Sequence, residues 1–309
     1  MRTLACFVAA GMLAISASGA RAETVAYGEA FDMLYSVGLD SRTATEIGVA
    51  GYYGNQRIGN LSGLSFSTDG KLFAVAGGLN ALTHIDLSTG SASVIGTFGL
   101  AGQGDPQRND ALDLGMTFDC DDTLWLVSAF AGKVWKVDPG SAATTLVGST
   151  GHTITGLVAR GNLLFGAGAK GDNNLYRINR QSGAADLIGS YGDAASGWIN
   201  SVSMSFDEDG TLWAVLNYVP PAPGSSNVPD WSDLATIDPN TGAVTILGPV
   251  TGPESLREVG MKGFAIGPPR CTAGAVVNSA PVGSPPWLAL LVLVLVTAAG
   301  FALRTRLAN

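Results

Sequence analysis

Charged and chemically reactive side chains are scarce in this sequence of 309 residues. Only 14% of the residues are Asp, Glu, Lys or Arg, and the chain contains 3 Cys and 2 His. The sequence has no G-x-S-x-G, no glycine-rich phosphate loop and no H-E-x-x-H. His84 and His152 stand at no ligand spacing to a cysteine, so we predict neither a metal site nor a cofactor.

Basic residues are the minority among the charges. The chain has 17 Lys and Arg against 25 Asp and Glu, a formal net charge of −8. Residues 1–22 contain two arginines and no acid, so the charge without them is −10. An acidic body repels phosphate backbones, which excludes nucleic acid as a partner.

Both ends of the chain look like targeting segments. Residues 1–22 have a basic start, an apolar run and an Ala20-Arg21-Ala22 end, which predicts a secretory signal peptide. Residues 268–286 are rich in Pro, Gly, Ala and Ser, which is typical of a linker. Residues 287–303 are uncharged and long enough for a transmembrane helix, and residues 304–309 form a basic cytoplasmic tail.

This C-terminal layout resembles the PEP-CTERM and IPTL-CTERM sorting signals of bacteria. The resemblance covers only the end of the chain, and neither a Pro-Glu-Pro nor an Ile-Pro-Thr-Leu motif is present. It implies an exported protein held in the cell envelope with its body outside the cytoplasm, or released after cleavage by a sorting protease. A plain membrane anchor is the alternative. In this oxidising compartment Cys120 and Cys271 can form one disulfide, whereas Cys6 leaves with the signal peptide.

One phrase recurs along the body of the chain. IDPNTGAVTILG at 237–248 is repeated with variation at 85–96, 137–148 and 178–189, and in shortened form at 39–48. Asp or Asn opens a turn by bonding its own backbone, and Gly takes the positive φ that closes it. Each full phrase follows a second predicted hairpin, at 64–75, 116–127, 157–167 and 204–215. Four-stranded units at this spacing predict an all-β fold, a β-propeller. We label the four strands of each unit a, b, c and d in chain order.

The two ends of residues 23–267 complete one blade. A lone first-strand pattern at 260–266 follows the last unit, whereas the chain begins at residue 24 with the second and third strands of a unit. We therefore predict five four-stranded blades closed by an interlock of N- and C-terminal strands, or six if one degenerate blade escapes the pattern. The blade phrases resemble exported bacterial β-propeller proteins in general, a resemblance that implies the fold alone.

The loops between strands b and c, and between d and the next a, are predicted to form the functional face. They fall at 49–61, 97–111, 190–200, 217–232 and 249–259, whereas the other connections are tight turns. Aromatic rings with amides and a few charges suit carbohydrate or peptide recognition. The predicted ligand-binding residues are Tyr52, Tyr53, Asn55, Arg57, Arg108, Trp198, Asn200, Tyr218, Trp231 and Arg257.

Three functional hypotheses follow. The first is a non-catalytic, surface-tethered propeller that binds a glycan or a protein through the loop-rich face. The second is a propeller glycoside hydrolase, whose two carboxylates would come from Asp110, Asp113 and Glu258 near the channel mouth. The third is a passive envelope scaffold. Two further enzyme classes would need a sialidase Asp-box or a calcium loop, but Asp207-x-Asp209-Gly210 fits a hairpin turn better than either. The sequence therefore favours the first hypothesis.

Overall fold

The computed structural model describes residues 23–219, 231–257, 259–269 and 271. The predicted signal peptide (1–22), membrane helix (287–303) and basic tail (304–309) lie outside the described residues, as does most of the predicted linker (268–286). Within the described ranges, no helix combines the length and the apolar character that crossing a membrane requires.

The regular secondary structure of the described residues is β-strand, apart from four short turns of helix. Single turns of 3-10 helix occur at Gly77–Leu79, Pro106–Arg108, Asp193–Ala195 and Glu254–Leu256. In chain order the strands are β1 Val25–Ala30, β2 Met33–Gly38, β3 Ala44–Val49, β4 Tyr52–Tyr53, β5 Gln56–Arg57, β6 Leu61–Phe66, β7 Leu72–Ala76, β8 Ala81–Ile85, β9 Ala92–Thr97, β10 Leu114–Phe118, β11 Leu124–Ser128, β12 Lys133–Val137, β13 Thr144–Ser149, β14 Ile154–Arg160, β15 Leu163–Gly168, β16 Asn174–Ile178, β17 Ala185–Ser190, β18 Ser201–Phe206, β19 Leu212–Asn217, β20 Asp233–Ile237, β21 Val244–Pro249 and β22 Gly263–Ala265.

These strands form five antiparallel four-stranded sheets, the blades of a β-propeller. Blade I has the order β22-β1-β2-β3, and blades II to V are β6–β9, β10–β13, β14–β17 and β18–β21. The C-terminal strand β22 therefore supplies strand a of the blade that the N-terminus begins. The predicted fold, the count of five and the interlock are confirmed, and the described residues contain no sixth blade.

The recurring phrase builds the turn between strands c and d of each blade. Asp86 Oδ1 accepts hydrogen bonds from the backbone N–H of Ser88 at 2.8 Å and of Thr89 at 3.0 Å. Asp138, Asn179 and Asp238 open their turns in the same way. The residue that closes each turn has a positive φ in all five blades, and it is Arg42, Gly90, Ala142, Gly183 or Gly242. The predicted turn chemistry is confirmed.

The glycine that ends the phrase has a separate role in packing adjacent blades. A Cβ atom on Gly148, near the end of β13, would overlap the carbonyl oxygen of Ser182 in the c–d turn of blade IV. Gly48, Gly96 and Gly189 meet Thr89, Ser141 and Thr241 of their own following blades in the same way. Each repeat thus leaves a space into which the turn of the next repeat fits.

The Asp and Trp of the D-x-D-G-T-L-W phrase form a structural pair. Asp207 Oδ1 accepts a hydrogen bond from Thr211 N at 2.8 Å, and Oδ2 accepts one from Trp213 Nε1 at 2.7 Å. Asp119 and Trp125 repeat the contact in blade III, also at 2.7 Å. The carboxylate both closes the a–b turn and satisfies the indole N–H, so its interpretation as a hairpin turn is confirmed.

The core lies between neighbouring blades. On the innermost strand of each blade one large apolar residue is buried, namely Leu64, Met116, Leu157, Met204 or Phe264. At the axis, Ser and Thr side chains satisfy main-chain groups on the free edge of the next innermost strand. Ser62 Oγ donates to Leu114 O at 2.9 Å, and Val202 N donates to Thr155 Oγ1 at 3.0 Å.

Both described chain ends lie on the face of the tight turns. Residues 267–269 line that end of the narrow central channel. Cys271 then forms a disulfide with Cys120 of the a–b turn in blade III, with the two Cα atoms 5.1 Å apart. The bond holds the end of the interlocking segment against a blade that is remote in sequence.

Candidate functional site

The opposite face carries the b–c and d–a loops, and its backbone is strained. Ten non-glycine residues in the described ranges have a positive φ, and seven of them lie on this face. Such conformations cost on the order of 1–3 kcal/mol each and concentrate at functional sites. The seven residues are Phe31, Asn60, Asn80, Asn109, Asp110, Asp113 and Lys170.

An exposed aromatic ridge rises where blades I and II meet. Tyr52 and Tyr53 form β4 of a small hairpin, with 68% and 60% of their surfaces exposed. Arg57 is the cross-strand partner of Tyr52, and its guanidinium lies 5.1 Å from the centre of the Phe31 ring. We call Phe31, Tyr52, Tyr53 and Arg57 the aromatic ridge.

A buried acid fixes the cation of the ridge. Arg57 Nε donates to Asp32 Oδ2 at 2.6 Å, and Nη2 lies 2.5 Å from the same oxygen. The Asp32 side chain is only 9% exposed, whereas that of Arg57 is 52% exposed. The guanidinium is therefore held from below while its upper surface stays open to a ligand.

Phe31 was missed by the sequence interpretation. It lies in the two-residue turn between β1 and β2, has a φ of 58° and is half exposed. Turn positions with positive φ favour Gly, Asn or Asp, so a bulky aromatic residue there costs stability. A large aromatic residue in the short connection between two predicted strands was the signal that could have identified it.

A second group of side chains surrounds the mouth of the channel. Lys170 Nζ lies 2.9 Å from Asp113 Oδ2, and Lys262 Nζ lies 3.9 Å from Asp113 Oδ1. Phe130 lies beneath two cations, with its ring centre 4.7 Å from the guanidinium of Arg108 and 5.5 Å from the ammonium of Lys170. We call these five residues the axial cluster.

Burial lowers the pKa of Lys170 from its ordinary value. The Asp113 carboxylate raises this pKa, whereas the positive charges of Lys262 and Arg108 lower it further. Lys170 Nζ also donates to Asn200 Oδ1 at 2.6 Å and to Asn200 O at 2.7 Å. The ammonium is thus well satisfied but sits among like charges.

Several predicted ligand-binding residues brace the loops. Asn200 is buried and donates through Nδ2 to Val219 O at 2.6 Å. Tyr218 donates to Asp233 at 2.8 Å, and burial raises the pKa of both groups. Trp231 packs against the core beneath the Arg257 guanidinium, 5.7 Å away.

The remaining predicted residues are more accessible. Arg108 forms an ion pair with Asp105 at 3.2 Å but keeps 62% of its side chain exposed. Asn55, in the turn of the ridge hairpin, and Trp198 are also exposed. Of the predicted set, the structure thus brings Tyr52, Tyr53, Asn55 and Arg57 together in one hairpin.

Two of the three predicted carboxylates, Asp110 and Asp113, are engaged in structural contacts. Asp110 accepts hydrogen bonds from Gly102 N at 2.6 Å and from Gly104 N at 2.7 Å, one on each oxygen. Asp113 is paired with Lys170, and Glu258 lies outside the described residues. A glycosidase needs two carboxylates across the sugar, and both Asp110 and Asp113 are engaged in these contacts. The described part of the chain also holds no cluster of three or more potential metal ligands.

Comparisons with known proteins extend no further than the fold. No protein-family model and no curated protein matches the sequence. A protein of unknown function from Bacteroides thetaiotaomicron is 13% identical, with a TM-score of 0.43, and the match covers 62% of this chain and 53% of that one. Virginiamycin B lyase from Staphylococcus aureus is 14% identical, with a TM-score of 0.42, and the match covers 73% of this chain and 65% of that one. A chain of the nidogen/laminin complex is 14% identical, with a TM-score of 0.49, and the match covers 80% of this chain and 99% of that one. This chain covers less than two thirds of the length of the first two proteins.

Proposed function

We propose that this protein is a non-catalytic, exported propeller that binds another protein through the aromatic ridge. The observation that carries the proposal is the exposure of Phe31, Tyr52 and Tyr53 beside an anchored Arg57. Tyr and Arg are the residue types that dominate binding energy at protein interfaces, and large exposed apolar groups mark such surfaces. A projecting ridge suits a protein surface better than it suits a small ligand, which needs a concave pocket.

The position of the chain ends supports a tethered arrangement. The chain leaves the propeller near Cys271 on the tight-turn face, opposite the ridge. A membrane anchor or sorting segment in residues 287–303 would hold the protein in the cell envelope. The signal peptide in residues 1–22 would place this partner outside the cytoplasm.

Site-specific photo-crosslinking in the producing cell tests the proposal. A photoreactive phenylalanine replaces Tyr53, and a control replaces Leu187, which is 63% exposed on the side wall of blade IV. We expect a discrete protein adduct from position 53 that position 187 does not give, and that Tyr52→Ala reduces. Adducts of equal yield at both positions, or none at position 53, would refute the ridge as a docking surface.

A polysaccharide array distinguishes the glycan alternative. The proposal predicts no saturable signal that depends on Tyr52 or Tyr53. A signal abolished by Tyr53→Ala would instead assign the ridge to a carbohydrate, because an exposed flat ring is also a stacking surface for sugars.

A further inference from the structure

The axial cluster has more positive charge than its counter-ions neutralise. The whole sequence has 17 Lys and Arg against 25 Asp and Glu, yet Lys170, Lys262 and Arg108 converge at one point. Asp113 is shared by the two lysines, at 2.9 and 3.9 Å, and Asp105 pairs with Arg108 at 3.2 Å. Among the described residues, these three cations form ion pairs with two carboxylates, in a protein that is acidic overall.

The neighbourhood also has an unused hydrogen-bond donor. Asn217 is fully buried, and its Nδ2 has no acceptor in the described part of the chain. Its backbone oxygen accepts from Asn200 N at 2.7 Å, and Asn200 in turn holds Lys170. A buried donor without an acceptor is costly, and the cations of the cluster likewise favour an anionic acceptor.

The residues of the cluster are held rigidly. Lys170 and Lys262 are only 12% and 22% exposed, and Asp113 and Lys170 adopt positive φ values of 47° and 59°. Neither Lys nor Asp adopts this conformation without cost, so the surrounding structure imposes it. Phe130 supports the cations from below. Lys170 and Lys262 are therefore positioned before any ligand arrives, which lowers the entropic cost of binding.

We propose that the axial cluster binds the carboxylate of a small ligand, between the Lys262 ammonium and the Arg108 guanidinium. A planar carboxylate matches the two parallel N–H donors of a guanidinium. A single negative charge balances the local excess, whereas the acidic surface repels polyanions over longer distances. This site does not depend on the aromatic ridge.

Two sources of such a carboxylate are uronic acids and the carboxylates of amino acids and peptides. Each is tested on the full-length protein by isothermal titration calorimetry with an acid and its uncharged counterpart. The pairs are galacturonate with its methyl ester, and hippurate with hippuramide. We expect one acid to bind, and its counterpart to bind roughly tenfold more weakly or worse, since a hydrogen bond to a charged group is lost.

Substitutions locate the binding. Lys262→Met keeps the aliphatic stem and removes the charge, and Arg108→Gln does the same at a side chain that is 62% exposed. We expect each to weaken the bound acid roughly tenfold. Lys133 provides the matched control, because it lies on the same face outside the cluster and contacts Gln103 at 3.5 Å. Lys133→Met should leave the affinity unchanged.

Three outcomes would overturn the proposal. The first is equal binding of an acid and its uncharged counterpart. The second is an unchanged affinity in both Lys262→Met and Arg108→Gln, checked to be folded by thermal denaturation. The third is no heat from either acid up to about 10 mM, a range that covers weak single-carboxylate sites. Binding of galacturonate alone assigns the source to uronic acids, and binding of hippurate alone assigns it to amino-acid carboxylates.

Discussion

Glu29 and Gly263 face each other across the β1–β22 pair, and the Glu29 carboxyl group occupies the space above the glycine. A Cβ atom on Gly263 would lie 2.7 Å from Glu29 Oε2. The equivalent positions in blades II to V hold Val75, Val127, Ala167 and Val215. Glu29 is fully buried, neither of its carboxyl oxygens has a hydrogen-bond partner in the described residues, and burial raises its pKa well above 4.5.

The protonation of Glu29 should make stability depend on pH. Below pH 4.5 the group is protonated in both states and costs nothing on this account. Above that pH the unfolded chain ionises while the folded chain stays neutral, so stability falls by up to about 1.4 kcal/mol per pH unit until the raised pKa is reached. Glu29→Gln should match the wild type at low pH and exceed it at about pH 8. Urea denaturation across pH measures the difference.

The control for this prediction is Asp186→Asn, which removes an exposed carboxylate from β17. It should retain the wild-type pH profile. Identical profiles for the wild type and Glu29→Gln would show that Glu29 does not remain neutral in the folded protein.

The Cys120–Cys271 disulfide should stabilise the closed ring. It joins positions 151 residues apart, so it removes much of the freedom of the unfolded chain. Reduction, or Cys120→Ala, should lower the free energy of unfolding by roughly 2–4 kcal/mol. Peptide mapping without reductant should recover the cross-linked pair. Two free thiols in the unreduced, denatured protein would contradict the bond.

Packing between blades at the terminal glycines should tolerate no side chain. In Gly148→Ala the new methyl group would overlap Ser182 O, which is main chain and cannot move aside as a side chain would. We expect a loss of roughly 1–3 kcal/mol in stability. Gly197→Ala is the matched control, because a Cβ there meets nothing within 4 Å. Equal melting temperatures for the two variants would disprove the packing role.

The contact between Asp207 and Trp213 should contribute to stability and to no chemistry. Asp207→Ala leaves the buried face of the a–b turn and the indole N–H without their acceptor, so we expect a loss of about 1–3 kcal/mol. Thermal denaturation measures this loss, with Asp186→Ala as the exposed control. A loss no greater than that of Asp186→Ala would show that the carboxylate does not hold the turn.

Local patterns in the sequence determined the blades. The Asx turns that begin at Asp86, Asp138, Asn179 and Asp238 depend on bonds within a few residues, and strand alternation has a fixed period of two. The interlock followed from counting strands at the two ends. For these reasons the fold and the number of blades could be predicted without a structure.

The tertiary structure alone decided which loop residues are free and which are engaged. Tyr53 and Trp231 are both loop aromatics in the sequence, but one is exposed and the other packs against the core. Asp113, Lys170 and Lys262 come from three separate loops and meet only in the folded protein. Glu29 lies in the first strand of the chain, where the sequence does not show that its carboxyl group is buried opposite Gly263. The exposure of a side chain and its ion pairs depend on residues that are distant in sequence and meet only when the propeller closes. A local sequence pattern therefore cannot predict them.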